Sequence, residues 1–227
     1  METTAKKLGI VYEDPVITWE SEKRFFIPGV SYRGQTRAYR LFEEMTSPMT
    51  QDKLAEFYEK EKQKGNPVPT DAPLIWAIAA SAYNAKDSNP QDAKKLRQFL
   101  AQSFSRCPNT LTRIAYNPKG NDKIMHNYGT SDEYSIDELV VGPDRFIQKI
   151  PDQKVLESLL GTQDVAKINE VSQFVNGTNA YIWRLNSKPT KKEERVARFG
   201  ADGGRLLLIC FGDPLVGYPA FRVLQVE

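Results

Sequence analysis

The chain has 227 residues, 40% hydrophobic and 26% charged, with 31 Lys and Arg nearly balanced by 29 Asp and Glu. Those proportions exclude a disordered polymer, and a formal net charge of +2 leaves no broad field to draw the chain onto nucleic acid or an anionic bilayer. One histidine and two cysteines exclude, within one chain, any zinc site that needs two histidines or more than two thiols.

The first ten residues lack the apolar run of a secretory signal, and the longest apolar window, residues 74–82, falls short of the roughly 20 needed to span a bilayer. A cytoplasmic protein without membrane contact is expected, with Cys107 and Cys210 as free thiols.

In chain order, residues 12–32 read as an irregular or strand-containing lead. Ser47-Pro48 then opens a helix with Leu54, Phe57 and Tyr58 inward, ending near Gly65. Asn66-Pro-Val-Pro69 is a stiff connector. Thr70-Asp-Ala-Pro73 caps a second helix whose residues 74–83 leave almost no polar face, so it should be the buried centre of the N-terminal half. A third helix starts at Asn89-Pro90 and carries Ala93, Leu96, Phe99, Leu100 and Phe104 until Cys107-Pro108 stops it.

From residue 109 the period shortens towards two. Strands are expected over 111–116 and 123–128, joined by a hairpin loop at 117–122, and near 134–141, ended by Gly142-Pro-Asp144. Asp152 and Thr162 cap two helices that end at Gly161 and Gly177. Strands over 180–186, 194–199, 205–211 and 220–226 follow as a meander, and the apolar run 206–211 should be a central strand covered on both faces. The expected fold is α+β: a helical N-terminal half, residues 1–108, packed on a C-terminal half, residues 109–227, of mainly antiparallel sheet with two helices. The halves form two domains or one integrated domain.

Polar and turn-forming residues concentrate between 116 and 145, where loops can present side chains without burying them. His126 is the candidate general acid or base there, with Asp122, Asp132 or Asp144 to orient its ring. Asn117, Asn121, Asn127 and Tyr128 are the candidate ligand contacts. The competing reading makes His126 a half-buried strand residue sharing a face with Ile124 and Tyr128. The carboxylates Asp132, Glu133, Asp137 and Glu138 could hold Mg²⁺ if they converge, but alternation sends neighbours to opposite faces. No metal site is otherwise expected. Neither cysteine suits a nucleophile: Cys210 lies in an apolar run, and Cys107 follows a helix end whose dipole opposes a thiolate.

The stretch 188–198 holds five cations beside Tyr181, Trp183 and Phe199, which suits single-strand nucleic acid, but Glu193 and Glu194 interrupt it. Internal repeats, phosphate loops, nucleophile elbows and paired-cysteine motifs are absent from the sequence. The expectation is a binding or interaction protein whose recognition face is 117–145, taking a protein or small-molecule ligand. Two alternatives stand beside it: a small-molecule or phosphoester enzyme built on His126, and nucleic-acid binding through residues 188–205.

Overall fold

A computed structural model describes residues 17–138, 145–150, 152–183, 189–202 and 205–226. The described residues begin with sheet. Strands β1 (Thr18–Glu20), β2 (Arg24–Tyr32) and β3 (Gln35–Phe42) run antiparallel, and β11 (Arg222–Val226), the last strand, joins the free side of β3 in the order β1-β2-β3-β11. The β2–β3 connection is a two-residue loop, Arg33-Gly34, with φ of 52° and 70°. Two positive φ values define the type I′ turn whose twist matches that of the flanking strands.

A bulge in β2 decides which of its side chains face inward. Ile27 pairs with Tyr39 but Val30 pairs with Arg37, so two residues of β2 oppose one of β3. Pro28 has no N–H for the ladder and Gly29 takes φ 66°, which suits both to that irregularity. The extra residue reverses the alternation. Phe25 and Ile27 are buried before it and Val30 after it, and Tyr32 joins their side instead of Ser31 or Arg33.

Three helices follow: α1 (Gln51–Lys62) capped by Thr50, α2 (Ala72–Asn84) capped by Asp71, and α3 (Pro90–Phe104) capped by Asn89. Each cap side chain accepts a backbone N–H that the helix cannot satisfy itself. Helix α2 touches β2 of the first sheet and two strands of the second, residues 109–116 and 193–202, with α3 and two later helices, residues 154–160 and 165–176, beside it. That surrounding explains an apolar surface that circles its axis.

The second sheet has the order β6-β5-β4-β9-β10-β8-β7. Its strands are β4 (Asn109–Tyr116), β5 (Asp122–His126), β6 (Tyr134–Glu138), β7 (Arg145–Phe146), β8 (Ala180–Trp183), β9 (Glu193–Asp202) and β10 (Arg205–Gly212). Helices α4 (Lys154–Leu160) and α5 (Val165–Asn176) lie between β7 and β8 and end on Gly161 and Gly177, both left-handed. Among the described residues no helix is long and apolar enough to cross a membrane.

Two expectations about architecture need correction. The N-terminal half is not helical, because three strands precede the helices, which sit in the middle of the chain. The alternation of Phe25, Ile27, Tyr39 and Leu41, all buried, with the less buried Arg24, Phe26, Ala38, Arg40 and Phe42 is a sheet signal that the expected fold class left out. The C-terminal strands are not a meander either. β10 inserts between β9 and β8, parallel to β8, and β11 leaves for the first sheet. An apolar run such as 206–210 requires cover on both faces, and the interior of a seven-stranded sheet supplies it. One core cluster extends from Ile17 to Val223, and β11 crosses the division at residues 108 and 109 to pair with β3.

Candidate functional site

Side chains two apart on a strand share a face, so β3 presents Gln35, Arg37 and Tyr39 together, and β11 presents Val223 and Gln225 beside them. Helix α1 contributes Tyr58 and Lys62, four residues apart and thus on one helix face. The connector between α1 and α2 runs along β11, where Val68 and Val223 exchange two backbone hydrogen bonds of 2.8 Å. Its next residues, Pro69 and Thr70, form the wall. Asn127 and Asp132, from the loop after β5, close the far side, and Tyr32 and Arg33 stand at the hairpin tip. The space enclosed is about 540 Å³, within the usual range for a small-molecule site.

Behind Tyr32 lies the most constrained polar group of the region. Asp71 is fully buried, and its Oδ1 accepts the Leu74 N–H at 3.0 Å. Its Oδ2 accepts the phenol of Tyr32 at 2.6 Å and that of Tyr134 at 3.3 Å. One carboxylate therefore ties β2, β6 and the start of α2 together. Burial, then the Asp71 charge, push both phenols far above the usual tyrosine range. They remain protonated donors. Tyr58 is held up in the same way, first by burial and then by its hydrogen bond to Asp132.

Among the described residues, Arg33, Arg37 and Lys62 line the cavity against one carboxylate, Asp132, a net charge of +2. Burial acts to raise the Asp132 carboxyl, but hydrogen bonds from Lys62 and Tyr58 outweigh it, so the group sits below its usual range. Lys62 Nζ lies 2.6 Å from Asp132 Oδ2, while Arg37 donates to Gln225. The Arg33 guanidinium covers the Tyr134 ring at 4.0 Å. Arg33 is also costly where it stands, since a left-handed backbone disfavours any residue with a Cβ by roughly 1–2 kcal/mol and type I′ turns prefer Asn or Gly. Strain of this kind gathers at ligand sites.

His126 ends β5 fully buried. Its Nε2 lies 2.8 Å from the Ser158 carbonyl, which can only accept, so Nε2 carries the proton. Nδ1 then accepts from the Thr112 hydroxyl at 2.9 Å, and that hydroxyl accepts the Ala72 N–H at 2.9 Å. Both ring nitrogens are engaged. Burial, reinforced by Arg33 and opposed by Asp71 and Ser158, lowers the imidazole pKa and keeps it neutral. Its ring stacks on Tyr134 with centroids 4.8 Å apart.

The other residues singled out from the sequence separate into three places. Asp122 opens β5 while His126 closes it, roughly 13 Å away at strand rise, and Asp122 accepts the Asn117 N–H. Asn117 also donates to the Asn121 carbonyl, so these three organise the β4–β5 loop. Asp132 bonds Tyr58 and Lys62, and Asn127 donates to the Tyr32 phenol at 3.4 Å, which brings both to the cavity. Tyr128 goes elsewhere. Asn127 has φ 49° and breaks the alternation, so Tyr128 stacks on the Arg113 guanidinium at 3.6 Å and does not share a face with His126. Arg113 is itself held by Gln51, Asp52 and Glu194. Asp144 lies outside the described residues.

Glu133 accepts the Gly129 N–H, and among the described residues no three His, Cys, Asp or Glu side chains gather as a metal site. In the basic stretch, Lys192 pairs with Glu194, Arg195 pairs with Glu193, and Arg198 covers Tyr218. Burial raises the Cys210 thiol far above its usual range, so it stays protonated. Compared with protein-family models, curated proteins and solved structures, the chain matches none of them.

Proposed function

We propose that the protein is a binding module for a small dianion, and that the cavity bounded by β3, β11 and α1 is its site. The observation that carries this reading is the convergence of Arg33, Arg37 and Lys62 on one concavity with a single carboxylate among its described lining residues. A net +2 complements a phosphate monoester, and Arg can meet phosphate oxygens with a planar fork of donors. The phenols of Tyr39 and Tyr58 supply neutral polar walls that hold a ligand without repelling its charge. Within the segment 117–145, residues 127 and 132 belong to this site, and the rest of its lining comes from outside that segment.

The test uses inorganic phosphate, followed by thermal shift and isothermal calorimetry against chloride at equal ionic strength. Phosphate should stabilise the fold, and Arg37→Gln should weaken binding about 10–100-fold, the value of one charge-assisted hydrogen bond at roughly 1.5–3 kcal/mol. Equal responses to phosphate and chloride, or an unchanged affinity in Arg37→Gln, would remove the reading.

A further inference from the structure

A second concavity of about 490 Å³ adjoins the first across the β2–β3 hairpin tip, and the two share Tyr32 and Arg33 as walls. Their chemistry differs. The second is walled on one side by Pro73, Trp76, Ala77 and Ala80 of α2, by Ile136 of β6 and by Leu160 of α4, while Glu157, Thr162 and Lys167 also line it, one acid and one base that offset each other. Ala77 and Ala80, three apart on one helix face, are half-buried, as are Ser81 and Tyr83 further along α2, and the two alanine methyl groups line this space. Tyr134 and the flat Arg33 guanidinium complete the wall, giving stacking surfaces beside an apolar floor.

A bare phosphate fills only a small part of either space. From the shared wall and the contrast in lining, we infer that the two concavities are one bipartite site for an aryl phosphate monoester, with the phosphate among Arg33, Arg37 and Lys62 and the ring against Trp76, Ala77 and Ala80. This inference rests on the dianion reading above and adds the body of the ligand to its head. Arg33 is the hinge of the arrangement, because its side chain borders both spaces and can follow the ester oxygen from one into the other. That double duty accounts for an arginine at a turn position where Asn or Gly would be less strained.

The experiment compares phenyl phosphate, inorganic phosphate and phenol by isothermal calorimetry on the full chain and on Ala77→Leu and Ala80→Leu, each of which fills the second space. Phenyl phosphate should bind wild type at least about tenfold more tightly than phosphate, as expected for burial of a ring. Both variants should lose that advantage and bind inorganic phosphate as wild type does. Should either variant fail to fold, nuclear Overhauser contacts in wild type between the phenyl protons and the Trp76 indole or the Ala77 and Ala80 methyl groups give the same answer. Phenyl phosphate no tighter than phosphate, or contacts confined to Tyr39 and Val223, would overturn the bipartite site and leave the dianion site standing. No binding of either anion would remove both.

Discussion

Lowering the pH from 8 to 5.5 should destabilise the protein through His126 alone, the one histidine of the chain. The imidazole is fully buried, its Nε2–H donates to Ser158 and its Nδ1 accepts from Thr112, so the fold holds the neutral form and its pKa is lowered. In the unfolded chain the same group titrates near ~6.5. Below that value the unfolded state binds a proton that the folded state refuses, so stability is full above about pH 7 and falls as the pH drops towards the lowered folded value. At pH ~5.5, one unit below the unfolded pKa, the loss has a ceiling of about 1.4 kcal/mol, RT times the logarithm of roughly eleven, reached when the folded imidazole takes up no proton there. With a urea slope of about 3 kcal/mol/M, the midpoint should move down by up to about 0.5 M. The depressed carboxylates Glu20 and Asp132 titrate at lower pH and leave this window to the histidine. Urea titrations at pH 8, 6.5 and 5.5 on wild type and His126→Gln form the assay. The variant has lower stability but should have no slope over this range. A flat wild-type midpoint, or the same slope in the variant, would refute the neutral, doubly bonded histidine.

Two further outcomes follow from the polar floor and the hairpin tip. Asp71→Ala removes a helix cap worth about 1 kcal/mol and leaves two half-buried phenols without their acceptor, at about 1 kcal/mol or less each where solvent reaches them, so urea unfolding should register a loss of about 2 kcal/mol or more. A loss under ~1 kcal/mol would mean that Tyr32 and Tyr134 find other partners. Arg33→Asn relieves part of a left-handed penalty of roughly 1–2 kcal/mol and gives up a stacking contact of about 0.5–1 kcal/mol. Stability should therefore hold or rise slightly while phosphate affinity falls about tenfold; a stability loss above ~1 kcal/mol with affinity intact would make Arg33 a structural residue.

Helices were the most legible part of the fold, and the reason is local. Asn89 stands next to Pro90 at the first position of α3, Asp71 stands two residues before Pro73 in the first turn of α2, and Gly161 and Gly177 accept the left-handed backbone that ends α4 and α5. Each signal lies within a few residues of the boundary it sets. Strand membership is different, because pairing depends on partners far along the chain. Residues 222–226 carry a fair strand pattern, yet nothing in them shows that they pair with β3, about 180 residues earlier, in preference to β10. The bulge at Pro28-Gly29 also hid β2: it breaks the period of two at its centre, and Ile27 and Val30, both buried, then sit three apart.

The site was less legible still, since it has no segment of its own. Its cations come from residues 33, 37 and 62, its phenols from 32, 39 and 58, and its remaining polar side chains from 35, 70, 127, 132 and 225. Polar density in the 117–145 loops pointed to Asn127 and Asp132, which do reach the cavity, and equally to Asn117, Asn121 and Asp122, which bond one another at the opposite end of β5. Composition alone cannot separate the two ends of a strand. One local clue was available. Gly34 marks a turn, and once β2 and β3 are paired the two-residue loop between them requires a type I′ turn, in which an arginine works against its own backbone preference. Residues that oppose local preference mark places where something other than folding chose them. Applied to Arg33, that rule leads to the hairpin tip where the two concavities meet, and from there β3 presents Arg37 two residues beyond Gln35 on the same face.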